Sequence, residues 1–129
     1  MDLLTQNWIK LALKELRLAE AALSIDEPIG VIQHLHASIE KILKAIYQET
    51  KGMPPKIHNL KRLALDYCGL NLEEKKENLL NLLDKAFIDS RYPSSIELFE
   101  SRHNIDSCKS LIQDAKEVIK WLQLLLKNN

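Results

Sequence analysis

Basic side chains concentrate in one stretch of a chain that is neutral as a whole. Eighteen Lys and Arg residues balance eighteen Asp and Glu residues, but the bases outnumber the acids between residues 40 and 62. The bases there are Lys41, Lys44, Lys51, Lys56, Lys61 and Arg62, and the acids are Glu40 and Glu49. Lys41 and Lys44 are three apart and therefore share one side of a helix. A nucleotide phosphate or an RNA backbone suits such a basic face.

Three further residues extend this candidate anion site. His58 precedes a predicted short helix, whose unpaired backbone N–H groups would give an anion additional donors. Arg91 and Tyr92 follow a later predicted helix, and a guanidinium can hold phosphate through two parallel hydrogen bonds. The candidate nucleotide- or anion-binding residues are therefore Lys41, Lys44, His58, Arg91 and Tyr92.

A structural interpretation of the same residues stays open. Lysines commonly lie on solvated faces without any function, and a lone histidine such as His58 can serve as a helix cap. Arg91 could pair with Glu40 or with helix-end carbonyl groups, and Tyr92 could simply pack on the neighbouring helices. Only the side-chain geometry separates these alternatives.

The sequence carries no catalytic or metal-binding constellation. It lacks an ordered Ser/His/Asp set, a Gly-rich phosphate loop and zinc-ligand spacing. His36 and Glu40 lie four apart on one helical face, but no third ligand accompanies them, so we predict a hydrogen-bonded pair. Cys68 and Cys108 are predicted to be free thiols. We therefore predict no catalytic residue, no metal and no cofactor.

Amphipathic helices are predicted to position these side chains, because apolar residues recur at intervals of three and four. The composition agrees, with 46% hydrophobic residues and only three glycines. The predicted helices cover Leu4–Leu23, Pro28 to about Thr50, Asn59–Tyr67, Glu73–Ser90, which Pro93 stops, and Ile105–Lys127. Residues 96–104 are compatible with a helical turn or a loop. We expect one all-α domain over residues 1–129, an up-and-down antiparallel bundle of about five helices.

The end of the last predicted helix is apolar on more than one face. The run Trp121–Leu126 favours either burial inside the bundle or a dimer interface. No apolar segment reaches the roughly 18 residues of a membrane-spanning helix. The first residues lack the basic and apolar regions of a signal peptide. We therefore expect a cytoplasmic protein without membrane contact.

Three segments, taken in order, are similar to the HEPN family of helical, nucleotide-associated domains. They are Ser38–Ala45, which contains Glu-Lys-x-x-Lys-Ala, then His58-Asn59-Leu60 after a Pro-containing loop, and finally Arg91-Tyr92-Pro93. Trp8 in the first helix also fits the branch of the family that carries these three motifs. Each motif alone is weak, but their order and spacing across most of the chain are fairly specific.

The resemblance implies a bundle of about five helices that is commonly a homodimer. It also implies a partner, because such domains are often encoded beside a minimal nucleotidyltransferase with which they form a complex. Some family members are ribonuclease toxins that carry an Arg followed by His after four to six residues. None of the arginines Arg17, Arg62, Arg91 and Arg102 has a His at that spacing.

The leading functional hypothesis is therefore a binding module. It would associate with a nucleotide or RNA and act as the partner of a minimal nucleotidyltransferase in a toxin–antitoxin-like system. The alternative is a HEPN-type, metal-independent ribonuclease that acts as a dimer and uses Arg91, His58 or His103 for acid–base chemistry. A third possibility is an antitoxin-like interaction domain without any ligand.

Overall fold

Helices make up nearly all of the regular structure in the computed structural model, which describes residues 1–92 and 94–127. They are α1 (Leu3–Ser24), α2 (Pro28–Lys51), α3 (Leu60–Arg62) with a π-helical turn (Leu63–Tyr67), α4 (Glu74–Ser90), α5 (Ile96–Arg102) and α6 (Ile105–Lys127). No strand occurs within these residues. The predicted all-α class is confirmed. Residues 96–104, for which the sequence allowed a helical turn or a loop, contain α5. The predicted stop at Pro93 lies outside the described residues.

Helices α1 and α2 form a hairpin, and local sequence features mark the first turn of each helix. Asp2 caps α1, because its Oδ1 accepts the Thr5 N–H at 2.8 Å. Pro28 occupies the first turn of α2, where its missing N–H removes no helical hydrogen bond. Asp26 turns the chain between the helices with a φ of 55°. Further along the hairpin the buried Ser38 hydroxyl donates to the Ala12 carbonyl at 2.7 Å.

Helix α2 is the centre of the bundle, since every other described helical element contacts it. Its predicted apolar stripe is buried throughout and consists of Val31, Ile32, Leu35, Ile39, Ile42, Leu43 and Ile46. Helices α4 and α6 both pack on this stripe and touch each other much less. Side chains that α2 carries beside the stripe are therefore held on a rigid element.

The third helix differs from the uniform α-helix that the sequence predicts over Asn59–Tyr67. Asn59 caps it, and its Oδ1 accepts the Arg62 N–H at 2.8 Å. Beyond Arg62 the chain widens into the π-helical turn, where the Cys68 N–H donates to the Leu63 carbonyl five residues back, at 2.8 Å. In this conformation Leu63 and Ala64 are fully buried, and packing therefore stabilises the widened turn.

The apolar end of α6 serves the core on one side only. Leu122 and Leu126 are buried, Trp121 and Leu125 are partly buried, and Leu124 is exposed. The sequence left open whether Trp121–Leu126 is buried inside the bundle or forms a dimer interface. One face of this run is buried, and the other face is exposed and available for further contacts. No helix among residues 1–92 and 94–127 is long and apolar enough to cross a membrane.

The close approach of α1 and α2 depends on a missing side chain. A Cβ at Gly30 would lie 3.0 Å from the Ala22 Cβ. We expect Gly30→Val to lower the free energy of unfolding by about 1–3 kcal/mol, because both helices must move apart to admit it. Chemical denaturation would measure this. Ala21→Val, at the exposed neighbour of Ala22, should change stability by no more than about 0.5 kcal/mol, and equal effects at both positions would contradict the packing argument.

Candidate functional site

A buried carboxylate, Asp84, connects three helices at one end of the bundle. It lies on the apolar side of α4, and its oxygens accept the Leu60 N–H at 2.8 Å and the Lys61 N–H at 3.2 Å. The same carboxylate is 3.0 Å from His36 Nε2 on α2. The N-terminus of α3 was expected to offer its N–H groups to an external anion. That expectation is wrong for Leu60 and Lys61, because an internal carboxylate already occupies them.

His36 stands at the floor of this arrangement and is only 1% exposed. Its ring stacks on Phe87 at a centroid distance of 4.0 Å and an interplanar angle of 8°. Because a carboxylate accepts at Nε2, that nitrogen carries the proton, while Nδ1 has no hydrogen-bond partner among the described residues. The predicted His36–Glu40 hydrogen bond is wrong, since Nδ1 and Glu40 Oε1 are 3.8 Å apart.

Glu40 instead joins two of the predicted binding residues. Its Oε2 accepts from Lys44 Nζ at 2.9 Å and lies 3.0 Å from His58 Nδ1. Lys44 is 6% exposed, and its ammonium lies 5.9 Å from the centroid of the Trp8 ring. Lys44 therefore orients Glu40, which in turn orients the exposed ring of His58. Because Lys44 is buried and paired with Glu40, it cannot contact a ligand directly.

Lys41 is also engaged within the protein. Its Nζ donates to Glu15 Oε1 on α1 at 3.1 Å, and Glu15 Oε2 lies 2.7 Å from His34 Nδ1. Burial acts to raise the pKa of Glu15, but the hydrogen bonds from His34 and Lys41 outweigh it and lower the pKa below its usual range. Lys41 thus fastens α2 to α1.

Arg91 lies at the opening of a small cleft above His36 and Phe87. Its guanidinium carbon is 5.5 Å from the Phe87 ring centroid, so Arg91 packs on Phe87 rather than pairing with Glu40. The cleft has a volume of about 150 Å³ and is lined by His36, His58, Asn59, Asp84, Phe87, Ile88 and Arg91. It has two exposed basic side chains at its edge and an aromatic floor.

Tyr92 lies outside this cleft. Its exposed ring lines a neighbouring depression together with Asp89, Arg102 and His103. The structure therefore places His58 and Arg91 on one cleft, which Lys41, Lys44 and Tyr92 do not line. Among the described residues, no three His, Cys, Asp or Glu side chains are grouped as metal ligands.

Sequence reasoning missed the residues that form the cleft floor, above all His36, Asp84 and Phe87. One signal was present in α4, where Leu80, Leu83 and Phe87 mark the inward face and Asp84 falls on it. A carboxylate at a buried helical position requires an internal donor. The identity of that donor was not accessible, because His36 is 48 residues away in the chain.

Comparison with known proteins agrees with this architecture. The family model described as "HEPN domain" matches residues 5–125. The chain belongs to the HEPN family.

A solved structure gives the same fold for this HEPN chain. The crystal structure of TT1696 from Thermus thermophilus aligns with a TM-score of 0.80 at 17% sequence identity, covering 92% of this chain and 95% of that chain. No match was found among the curated proteins. HEPN domains are nucleotide- or RNA-associated helical modules and often form dimers. The predicted HEPN-like bundle is confirmed.

The Asp84 carboxylate should be essential to this end of the HEPN fold. Asp84→Ala leaves the Leu60 and Lys61 N–H groups and the His36 ring buried without an acceptor. We expect the free energy of unfolding to fall by about 3 kcal/mol or more in chemical denaturation. Asp66→Ala removes an exposed carboxylate with one distant Arg62 partner and should cost no more than about 0.5 kcal/mol. An equal loss of unfolding free energy in the two variants would show that the hydrogen bonds of Asp84 do not stabilise the fold.

Proposed function

We propose that this HEPN domain is a nucleotide-associated binding module whose ligand phosphate binds in the cleft between His58 and Arg91. The observation that carries the proposal is that these two basic side chains border one cleft with an aromatic floor. They come from opposite sides of the α3–α4 region, 33 positions apart in sequence, so no local helix requirement explains their convergence. An anion is the group that both side chains can bind.

Four of the residues that line the cleft suit a phosphate group or the nucleoside attached to it. Arg91 is exposed and can direct two N–H groups at two phosphate oxygens. His58 uses Nδ1 for Glu40, which leaves Nε2 to donate to phosphate when the ring is protonated. Asn59 uses its carbonyl oxygen as the cap of α3, so its NH₂ group remains to donate. Phe87 offers an apolar surface to a ribose or a base.

The size of the cleft argues for recognition of one phosphate and not of a whole nucleotide. A volume of about 150 Å³ is well below the roughly 300 Å³ at which pockets begin to enclose drug-sized ligands. The rest of a nucleotide, or the next residues of an RNA strand, would extend over the neighbouring surface. A cleft that holds only the phosphate would bind nucleotides with different bases and would not select one base.

The arrangement favours binding over RNA cleavage. A ribonuclease of this family pairs Arg with a His four to six residues further on, and this chain has no such pair. His36 is buried, which keeps it from acting on RNA, whereas a carboxylate partner such as that of His58 orients a histidine equally well for binding and for acid–base work. The dimeric, metal-independent ribonuclease that uses Arg91, His58 or His103 remains the competing hypothesis, because a second chain could add residues to the cleft.

The proposed protein partners follow from the motif resemblance. We infer that the domain works as a homodimer and binds a minimal nucleotidyltransferase in a toxin–antitoxin-like pair. Within the Glu-Lys-x-x-Lys-Ala segment, Glu40 and Lys44 position His58, so this motif supports the cleft from behind. A partner that carries or transfers nucleotides is a reasonable source of the ligand phosphate.

Removal of the Arg91 guanidinium should weaken nucleotide binding. We expect Arg91→Ala to reduce the affinity for ATP by about tenfold or more, because a charge-assisted hydrogen bond contributes roughly 1.5–3 kcal/mol. Isothermal titration calorimetry would measure it on the full chain. Arg102→Ala, an exposed arginine on α5 outside the cleft, is the matched control and should leave the affinity unchanged. Equal affinity in both variants would place the ligand elsewhere.

The competing ribonuclease hypothesis predicts a different result with the same protein. Purification at low salt with mass spectrometry should identify a bound nucleotide or a co-purifying nucleotidyltransferase, and incubation with RNA should give no cleavage. RNA cleavage that disappears in His58→Ala or His103→Ala would establish the ribonuclease and reject the binding module.

A further inference from the structure

His36 is buried between two carboxylates and uses only one of its ring nitrogens. Its Nε2–H donates to Asp84 on α4 at 3.0 Å. Its Nδ1 has no hydrogen-bond partner among the described residues, and it lies 3.8 Å from Glu40 Oε1. Buried polar atoms in folded proteins nearly always have a partner, so an unpartnered nitrogen in a ring that is 1% exposed calls for an explanation.

The unpartnered nitrogen is an acceptor that lies close to another acceptor. In the neutral ring with its hydrogen on Nε2, Nδ1 carries only a lone pair, and the Glu40 carboxylate can only accept as well. A proton on Nδ1 would turn this contact into a charge-assisted hydrogen bond after a movement of about 1 Å. The protonated ring of His36 would then bridge Glu40 on α2 and Asp84 on α4.

The base of the cleft carries a negative charge that no lysine or arginine among the described residues balances. Asp84 lines the cleft, and its hydrogen bonds come from two backbone N–H groups and from His36. Its ion-pair partner is His36, which balances the carboxylate only when the ring is protonated. A phosphate in the cleft would therefore meet the Asp84 carboxylate as well as the two basic side chains at the edge.

The other charged groups near His36 are paired or lie at the edge of the cleft. The ion pairs around it are Glu40–Lys44, Glu40–His58 and Lys61–Glu77. Arg91 lies over the Phe87 ring at the opening of the cleft. His36 is therefore the ionisable group through which the base of the cleft can change its charge.

We propose that a phosphate bound in the cleft draws a proton from solvent onto His36 Nδ1. The new N–H donates to Glu40 Oε1, and the imidazolium bridges this carboxylate and that of Asp84. The base of the cleft becomes more positive as the anion binds, and no other covalent bond is made or broken. The inference rests on the proposed phosphate site and specifies how that site responds to pH.

Proton uptake makes binding depend on pH in one direction. A ligand that favours the protonated form of a group binds more tightly when that group is already protonated. The affinity for ATP therefore rises as the pH falls towards about 6, where phosphate groups themselves begin to be protonated. His58 adds to the same trend, because its Nε2 donates only when its ring is protonated. Separating the two histidines requires a measurement that resolves each ring.

Nitrogen-15 NMR of the four histidine rings in the full chain tests the proposal. At about pH 7.5, where an ordinary histidine is mostly neutral, we expect the free protein to carry hydrogen on Nε2 alone at His36. Saturating ATP should move the His36 Nδ1 resonance into the protonated range. His34 pairs with Glu15 and does not line the cleft, so it is the internal control and should keep its chemical shifts.

Two variants separate the contributions of His36 and His58. His58→Gln should bind ATP more weakly and still show protonation of His36 at saturation. His36→Gln keeps a side-chain N–H for Asp84 but cannot be protonated. From about pH 8 to about pH 6.5, its gain in ATP affinity should be at least about threefold smaller than that of the wild type. Circular dichroism would show whether this variant is folded, and the NMR result on the wild type does not depend on it.

The possible outcomes distinguish this inference from the proposed function. ATP that binds while His36 stays neutral would overturn the inference and leave the phosphate site in place. A His36 ring that is already protonated on both nitrogens in the free protein would also overturn it. A wild type that does not bind ATP would reject the phosphate site itself, and the inference with it.

Discussion

The charge of Asp84 inside the bundle is the constraint on which the functional end of this protein depends. A buried carboxylate is costly unless donors surround it, and here the donors come from two separate elements, the start of α3 and the ring of His36. Helix α3 contains a single α-helical turn and cannot hold its position by its own hydrogen bonds. Its placement next to α2 follows from the carboxylate, and with it the placement of His58 and Asn59.

The helices were largely predictable, because their signals are local. The period of apolar residues and Pro28 at a first turn both act within a few positions, and the observed bounds of α1, α2, α4 and α6 lie within about two residues of those predicted. The π-helical turn after Arg62 was not predictable, because tertiary packing of Leu63 and Ala64 selects it over the α-helix that local sequence favours.

The candidate site was predictable only in part, because charge counts along a sequence do not reveal partners. Lys41 and Lys44 counted as available cations, yet each has a glutamate that neutralises it inside the fold. His58 and Arg91 line one cleft although 33 positions separate them in the sequence. The motif residues Glu40 and Lys44 of α2 thus support the exposed His58. The residues of the cleft floor, His36, Asp84 and Phe87, belong to none of the three motifs.

The short connection between α1 and α2 has a consequence for the order in which the molecule assembles. Only Ile25, Asp26 and Glu27 separate the two helices, and this hairpin holds the most extensive helix–helix contact in the structure. Closing so short a loop costs little chain entropy, so these contacts form rapidly after synthesis. The contact between α3 and α4 joins residues 24 positions apart, and that between α2 and α4 joins residues 48 positions apart, so both come later than the hairpin. The cleft therefore matures after the hairpin, and nascent chains acquire a scaffold before they acquire a binding surface.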